Sequence, residues 1–318
     1  MAYTLFGELK FPASKDRQGF KIRSFSAVKI ETSWQSLTDT AEITLPRKTR
    51  DFNRFRVTDW FREGDPVEIW LGCNDKFTLE FSGYIAKVPV GIPLVLELED
   101  EMYKLKRKTV SISLQNCSLK KLLQSIAPGY EIQCDETKML GTVRFSKMAA
   151  SAILDELKKT GIHSWFEGKV LHAASIAKSS IPAVKVVIEK CAAESLKQKS
   201  IENTLVTISL IRKKGKKLKV EYGDKGAGKT IHRTLSGINL SEAEMMAEAK
   251  KIYHAVKVPG LDGDVTLFGN PRVQHGMKMD LCSWLYPEKN GLYYIDAVTK
   301  TFDGGGFRQV CKLGDKAV

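Results

Sequence analysis

The chain has 318 residues, with 50 Lys and Arg against 37 Asp and Glu and a formal net charge of +13. At 43% hydrophobic and 27% charged residues it has the composition of a folded globular protein, which excludes wholesale disorder. The most apolar stretch, Val88 to Leu96, is too short to span a bilayer and is broken by Pro89, Gly91 and Pro93.

The length fits about two or three domains. The first ten residues carry no basic region followed by an apolar one, so synthesis and retention in a bacterial cytoplasm is the expectation, with no membrane partner. The first hundred residues read as β. Phe20 to Ile30 alternates imperfectly, and Ala41 to Leu45 alternates cleanly and stops at Pro46. Val67 to Leu71 follows Gly64-Asp-Pro, where glycine allows positive φ and proline presets φ for the next strand. Phe77 to Val88 and Pro93 to Glu99 complete a set of short strands that predicts a small barrel or sandwich over residues 1–108.

The pattern then changes. Ser118 caps a predicted helix whose apolar residues Leu119, Leu122, Leu123 and Ile126 share one face, and Pro128-Gly129 ends it. A second helix is predicted over Met148 to Lys159, with Gly161 at its end. Strands at 110–114, 131–134, 142–145, 164–166 and 170–172 give a small β-α-β-β-α-β-β module over 109–176. Strands return at 184–188, 204–211 and 217–222. Ser241-Glu-Ala-Glu244 is a capping box opening a helix over 241–256. Strands then run from Val265 to Leu313, with a turn at Asp303-Gly-Gly-Gly306. Residues 177–318 are thus predicted to form a C-terminal β-barrel domain with one helix.

An internal repeat links the two ends. Gly64-Asp-Pro-Val-Glu-Ile69 is similar to Gly276-Met-Lys-Met-Asp-Leu281, Gly83-Tyr-Ile-Ala-Lys-Val88 to Tyr293-Tyr-Ile-Asp-Ala-Val298, and Val95-Leu-Glu-Leu-Glu-Asp100 to Val310-Cys-Lys-Leu-Gly-Asp315. The same three elements in the same order predict two related β modules flanking the α+β module.

Few residues invite chemistry. Gly223-Asp-Lys-Gly-Ala-Gly-Lys-Thr230 matches the phosphate-loop string G-x-x-x-x-G-K-[ST], which requires a helix beginning within the motif. Residues 230–239 carry two threonines, isoleucine and Gly237 with no helical apolar stripe, and the surroundings read as antiparallel β, so a Gly/Lys-rich loop is expected there. The five histidines have no metal-ligand spacing. The six cysteines include no Cys-x-x-Cys pair, so buried free thiols are expected. Strand alternation would place Glu97, Glu99 and Glu101 on one solvated or partner-facing edge. No catalytic, cofactor-binding or metal-ligating residue is assigned.

The candidate binding residues are of two kinds. Lys213, Lys214, Lys216 and Lys217 lie in the basic run Arg212–Lys219, which reads either as a solvated hairpin tip or as a patch for an acidic partner. Trp34 and Trp60, with Trp70 and Trp284, are core or interface anchors. The charge also admits a nucleic-acid-binding reading, for which no helix-turn-helix, zinc finger or aromatic platform is found, so no specific nucleic-acid partner is expected.

Several strings together resemble the contractile-tail baseplate hub family, often called late control protein D. They are Asp39-Thr-Ala-Glu-Ile-Thr-Leu-Pro46, Gly64-Asp-Pro-Val-Glu-Ile-Trp-Leu-Gly72, Phe81-Ser-Gly-Tyr-Ile-Ala-Lys-Val88, Glu99-Asp-Glu-Met102, Gly269-Asn-Pro-Arg-Val-Gln-His-Gly276 and Gly291-Leu-Tyr-Tyr-Ile-Asp-Ala-Val298. The resemblance implies two tail-tube-like β-barrels, a homotrimer, and a non-enzymatic adaptor between a hexameric tail tube and a trimeric spike. The spike would be a separate chain, with baseplate wedge proteins and the tape-measure protein as further partners, in a phage or a phage-tail-like injection system.

Overall fold

The computed structural model describes residues 4–14, 17–46, 57–73, 76–199, 203–211, 217–226, 228–235 and 238–317. It is mainly β, as the alternation predicts, and five α-helices occur among the described residues. The chain divides into two units rather than three consecutive domains. Unit 1 comprises Met1–Tyr103, Ala177–Leu196 and Gly263–Val318, and unit 2 comprises Lys104–Ile176 and Lys197–Asp262. The division at 108 and 176 differs because the chain re-enters unit 1 at 177, leaves it again after Leu196 and returns at Gly263. The strands that mark those crossings are two to four residues long and leave almost no periodicity to read.

Unit 1 holds β1 (Leu5–Phe11), β2 (Phe20–Ile22), β3 (Ala27–Ser33), β4 (Thr40–Leu45), β5 (Pro66–Cys73), β6 (Lys76–Lys87) and β7 (Leu94–Glu99), with a one-turn helix α1 (Val57–Trp60) before β5. Helix α2 (Met102–Arg107) follows β7. Unit 1 is completed by β13 (Val184–Val187), β14 (Ala193–Glu194), β21 (Asp264–Phe268), β22 (Lys278–Cys282), β23 (Gly291–Asp303) and β24 (Gly306–Lys316). All thirteen strands join one sheet, ordered β14-β21-β24-β23-β3-β4-β7-β6-β5-β1-β2, with β22 also on β23 and β13 on β22. Alternation decides which side chains enter the core: Ala41, Ile43 and Leu45 of β4 and Leu94, Leu96 and Leu98 of β7 are all buried, with Ile43 facing Leu96.

The repeat read in the sequence is also a repeat of hydrogen bonds. The amide of Gly64 donates to the Ile85 carbonyl at 2.8 Å, and the Ile85 amide donates back to Asp65 at 3.0 Å. The amide of Gly276 donates to Ile295 at 2.8 Å, and Ile295 donates to Met277 at 2.9 Å. Gly64 and Gly276 both sit at positive φ, +89° and +78°, where a side chain is strained. The ladder β5-β6-β7 matches β22-β23-β24: Pro66 faces Tyr84 as Lys278 faces Tyr294, and Ile85 faces Leu98 as Ile295 faces Leu313. Each long strand is bulged directly after that isoleucine. The match extends outward, because β4 lies on β7 as β21 lies on β24, and β3 on β4 as β14 on β21.

Strand β3 joins the two repeats by pairing with β23, from Ala297 opposite Ser33 to Phe302 opposite Val28. Four antiparallel steps separate β23 from β6, so equivalent strands of the two repeats run in the same direction. The repeats differ at their flanks, where β1 lies antiparallel on β5 but β13 lies parallel on β22.

Unit 2 contains β8 (Thr109–Leu114), α3 (Leu119–Ile126), β9 (Glu131–Cys134), β10 (Thr142–Ala149), α4 (Ala150–Lys159), β11 (His163–Glu167) and β12 (Val170–Ala174), the predicted order. Its second piece adds β15 (Lys197–Gln198), β16 (Thr204–Ile211), β17 (Lys217–Gly223), β18 (Lys229–Leu235), β19 (Ile238–Asn239), α5 (Glu242–Lys257) and β20 (Leu261–Asp262). Ser118 caps α3 by accepting from the Lys121 amide at 3.3 Å, and Leu119, Leu122, Leu123 and Ile126 are all buried. Helix α4 starts later than expected, since Met148 and Ala149 pair with β8. The capping box of α5 is formed: Glu244 accepts from the Ser241 amide at 2.7 Å, and Ser241 Oγ accepts from the Glu244 amide at 3.3 Å. No described helix is long and apolar enough to cross a membrane.

Candidate partner-binding surfaces

The basic run lies between β16 and β17 in the chain. The two strands pair antiparallel up to Ile211 opposite Lys217. Lys213, Lys214 and Lys216 fall outside the described residues. Lys217 opens β17 with an exposed side chain.

The phosphate-loop string spans the end of β17 and the start of β18. Lys229 and Thr230 are exposed residues of a strand, so no helix N-terminus stands there to hold phosphates. The surroundings are not wholly antiparallel, contrary to the sequence reading: β18 lies parallel to β16, with Thr204 opposite Lys229. Asp224 accepts from the Thr204 amide at 3.2 Å and from Tyr253 Oη at 3.2 Å, and it pairs with Lys257 at 2.9 Å. The hydrogen bond from Lys257 leads in holding its carboxyl below the usual range, against some desolvation. These contacts tie Asp224 to β16 and α5.

Among the described residues no group of three or more His, Cys, Asp or Glu side chains is placed to hold a metal. The cysteines are free, but only Cys117 and Cys311 are buried, and Cys282 is exposed. Burial pushes the Cys311 thiol up to about 12 and that of Cys191 to about 11. The acidic edge is also not uniform. Strand β7 ends at Glu99, Glu97 pairs with Lys87 at 2.9 Å, and Glu101 is buried and accepts from Tyr84 Oη at 2.8 Å.

The tryptophans separate by exposure. Trp34 is buried, and its indole donates to Asp296 Oδ1 at 3.1 Å, tying the end of β3 to β23. Burial raises the Asp296 carboxyl above the usual range, and the bonds from Trp34 and Gln35 offset part of that. Trp60 is half-buried, edge-on to Phe20 with ring centroids 5.1 Å apart. The Trp70 indole donates to Glu68 at 2.9 Å beneath the Lys10 ammonium. Trp284 alone of these four lies open, 60% exposed.

Trp284, read from the sequence as a core or interface anchor, lies in an exposed apolar loop whose other residues the sequence does not single out. Between β22 and β23 it is followed by Leu285 and Tyr286, 64% and 51% exposed. This apolar loop is held from behind. Glu189 Oε1 accepts from Ser283 Oγ at 2.5 Å and from the amides of Trp284 and Leu285, each at 3.1 Å. Desolvation pushes the Glu189 carboxyl up, but the Ser283 hydroxyl and the backbone amides outweigh it, and it stays below the usual range. A second apolar surface lies on the link from β6 to β7, where Val90 is 95% and Ile92 76% exposed. Both surfaces are the kind that partners cover.

No protein-family model matches the sequence, and no curated protein matches it by sequence. Solved structures do match it in fold. A tail protein from Neisseria meningitidis is 13% identical, with 98% of this chain and 96% of that chain covered and a TM-score of 0.69. A 43 kDa tail protein of prophage MuSo2 from Shewanella oneidensis is 11% identical, with 98% of each chain covered and a TM-score of 0.70. The E. coli c3393 protein, a type VI secretion component described as similar to the bacteriophage T4 tail proteins gp27 and gp5, is 10% identical. There 97% of this chain and 77% of that chain are covered, with a TM-score of 0.61. From one end to the other, the chain has the fold of phage tail proteins and of a tail-like secretion component.

Proposed function

We propose that this protein is a structural baseplate hub of a contractile phage tail or a phage-tail-like injection system. It acts by binding, as a homotrimeric adaptor between a hexameric tail tube and a trimeric spike, with wedge proteins and the tape-measure protein as neighbours. One observation carries this reading: two register-matched repeats run in the same direction within one sheet. Three copies present six similar modules to a six-fold tube, while the chain as a whole repeats three times for a three-fold spike. Closed cyclic symmetry makes each contact between copies heterologous, so a ring forms when the rotation closes. The fold likeness to phage tail and type VI secretion proteins supports the same reading. Lys217 and the lysines preceding it suit an acidic partner surface.

The test is mass measurement of the purified protein, alone and mixed with the spike and tube chains of the same particle. A trimer, alone or with spike, is expected. A protein that stays monomeric with both partners present overturns the proposal.

A further inference from the structure

Resting on the hub reading, we propose that Val88–Ile92 of one copy is covered by Ala193–Leu196 of a second copy. The two repeats themselves supply the argument. On β23, strand β22 pairs only as far as Tyr294, and past that point the same edge is taken by β3, which covers Val298, Lys300 and Phe302. Val298 and Lys300 are buried, and Phe302 packs against the core.

The equivalent edge in the first repeat is β6. Strand β5 pairs with it only as far as Tyr84, and among the described residues no strand takes the edge beyond. Matching Ile85 to Ile295 puts Val88, Val90 and Ile92 at the positions of Val298, Lys300 and Phe302. These are three apolar residues at every second position, the pattern of a strand face meant for burial. Val88 packs against the core, yet Val90 and Ile92 stand in solvent. The first repeat thus has the apolar residues of a covered edge without the cover.

The cover is available on the second repeat. There β14 is the equivalent of β3, because Ala193 faces Thr266 as Ala27 faces Thr44. The side of β3 that holds β23 corresponds to a side of β14 on which no described strand lies. Ala193, Glu194 and Ser195 are exposed, and β14 ends the sheet. Within one chain the cover and the uncovered edge are at opposite ends of the repeat order. A second copy brings them together in the register already seen between β3 and β23, which pairs Val90 with Leu196 and Ile92 with Glu194. Pro89 withholds an amide from this junction, so side-chain burial carries more of it than the backbone ladder does.

Two measurements test the assignment. The double variant Ile92→Cys with Glu194→Cys, oxidised under mild conditions, is expected to give covalent dimers and trimers on a denaturing gel. Reductant should reverse them, and neither single variant should form them. The double variant Val90→Asp with Ile92→Asp changes only exposed side chains. It is expected to keep its circular dichroism and lose the trimer in sedimentation, with association weakened roughly a hundredfold or more. A trimeric wild type with no cross-links and an intact trimer in the aspartate variant overturns the inference and leaves the hub reading standing. So does an aspartate variant that stays trimeric but no longer binds spike or tube, which assigns the segment to that partner. A wild type that is monomeric with all partners present overturns both.

Discussion

The Lys300 ammonium on β23 donates to the Glu80 carboxylate on β6, and both side chains are almost wholly withdrawn from water, at 4% and 1% exposure. A bulge makes this contact. Trp70 faces Leu79 and Ile69 faces Phe81, so Glu80 is the extra residue and its side chain turns inward. Arg272 closes the cluster by donating from Nε to Glu80 at 3.1 Å and from Nη2 to the Leu79 carbonyl at 2.7 Å. Burial lowers the Lys300 pKa, and the ion pair with Glu80 offsets part of that. Glu80→Gln alone should cost about 3–5 kcal/mol in urea unfolding, because it leaves the buried Lys300 ammonium uncompensated, and Lys300→Met should cost less, because Arg272 still pairs with Glu80. The double variant Glu80→Leu with Lys300→Met should recover most of that loss, since Arg272 can reach solvent.

The matched glycines give a second test. Gly64→Ala and Gly276→Ala each force a side chain into positive φ at the same point of the same hydrogen-bonded motif. Each should lose about 1–2 kcal/mol of stability, and by similar amounts. The nearest heavy atom to the new Cβ would be 3.3 Å away at Gly64 and 3.2 Å at Gly276, so steric crowding does not separate them. A large difference measured by denaturant titration would mean that the two motifs are not mechanically equivalent.

Two aspartates should titrate with opposite effects on stability. Asp296 has its folded pKa raised, so its contribution is present below the ordinary carboxylate value and fades as pH rises through the raised one. Asp224 has its folded pKa lowered, so its contribution is present above the ordinary value and is lost as pH falls through the lowered one. Melting temperature against pH should therefore change oppositely in Asp296→Asn and Asp224→Asn. Relative to wild type, Asp296→Asn gains as pH rises above the ordinary carboxylate value, and Asp224→Asn loses as pH rises toward that value from below.

Glu189→Ala should loosen the apolar loop without unfolding the sheet behind it. The amides of Trp284 and Leu285 lose a charged acceptor, and their hydrogen exchange should quicken roughly tenfold or more. Amides of β22 and β23 should keep their protection. If spike or tube binds through this loop, the same variant should weaken that binding while the trimer persists.

Much of the sheet was legible because its strands alternate. Leu94, Leu96 and Leu98 announce β7, and the glycine turns at Gly64 and Gly276 announce the strands after them. The capping box of α5 and the apolar stripe of α3 were equally plain. Strand β1 escaped notice because no turn signal marks its start, and β14 because two residues carry no period. The discontinuous make-up of unit 1 followed from that loss. Trp284 was legible only as a core or interface anchor: its clamp, Glu189, is distant in sequence, and an isolated tryptophan does not reveal whether it points inward. Glu80 gave no warning either, since a bulge reverses the facing that alternation predicts.

The excursion Lys197–Asp262 departs from the second repeat at the place where the first has only the short link between β3 and β4. Its two ends leave the sheet side by side, with the Ser195 amide bonded to the Asp264 carbonyl at 3.0 Å and no room for a Cβ at Gly263, 2.4 Å from the Ser195 carbonyl oxygen. A hairpin end clasped in this way works as a socket. The entropy of closing a loop grows only with the logarithm of its length, so what is plugged in there can be enlarged, trimmed or exchanged over evolution while the scaffold around it keeps its register.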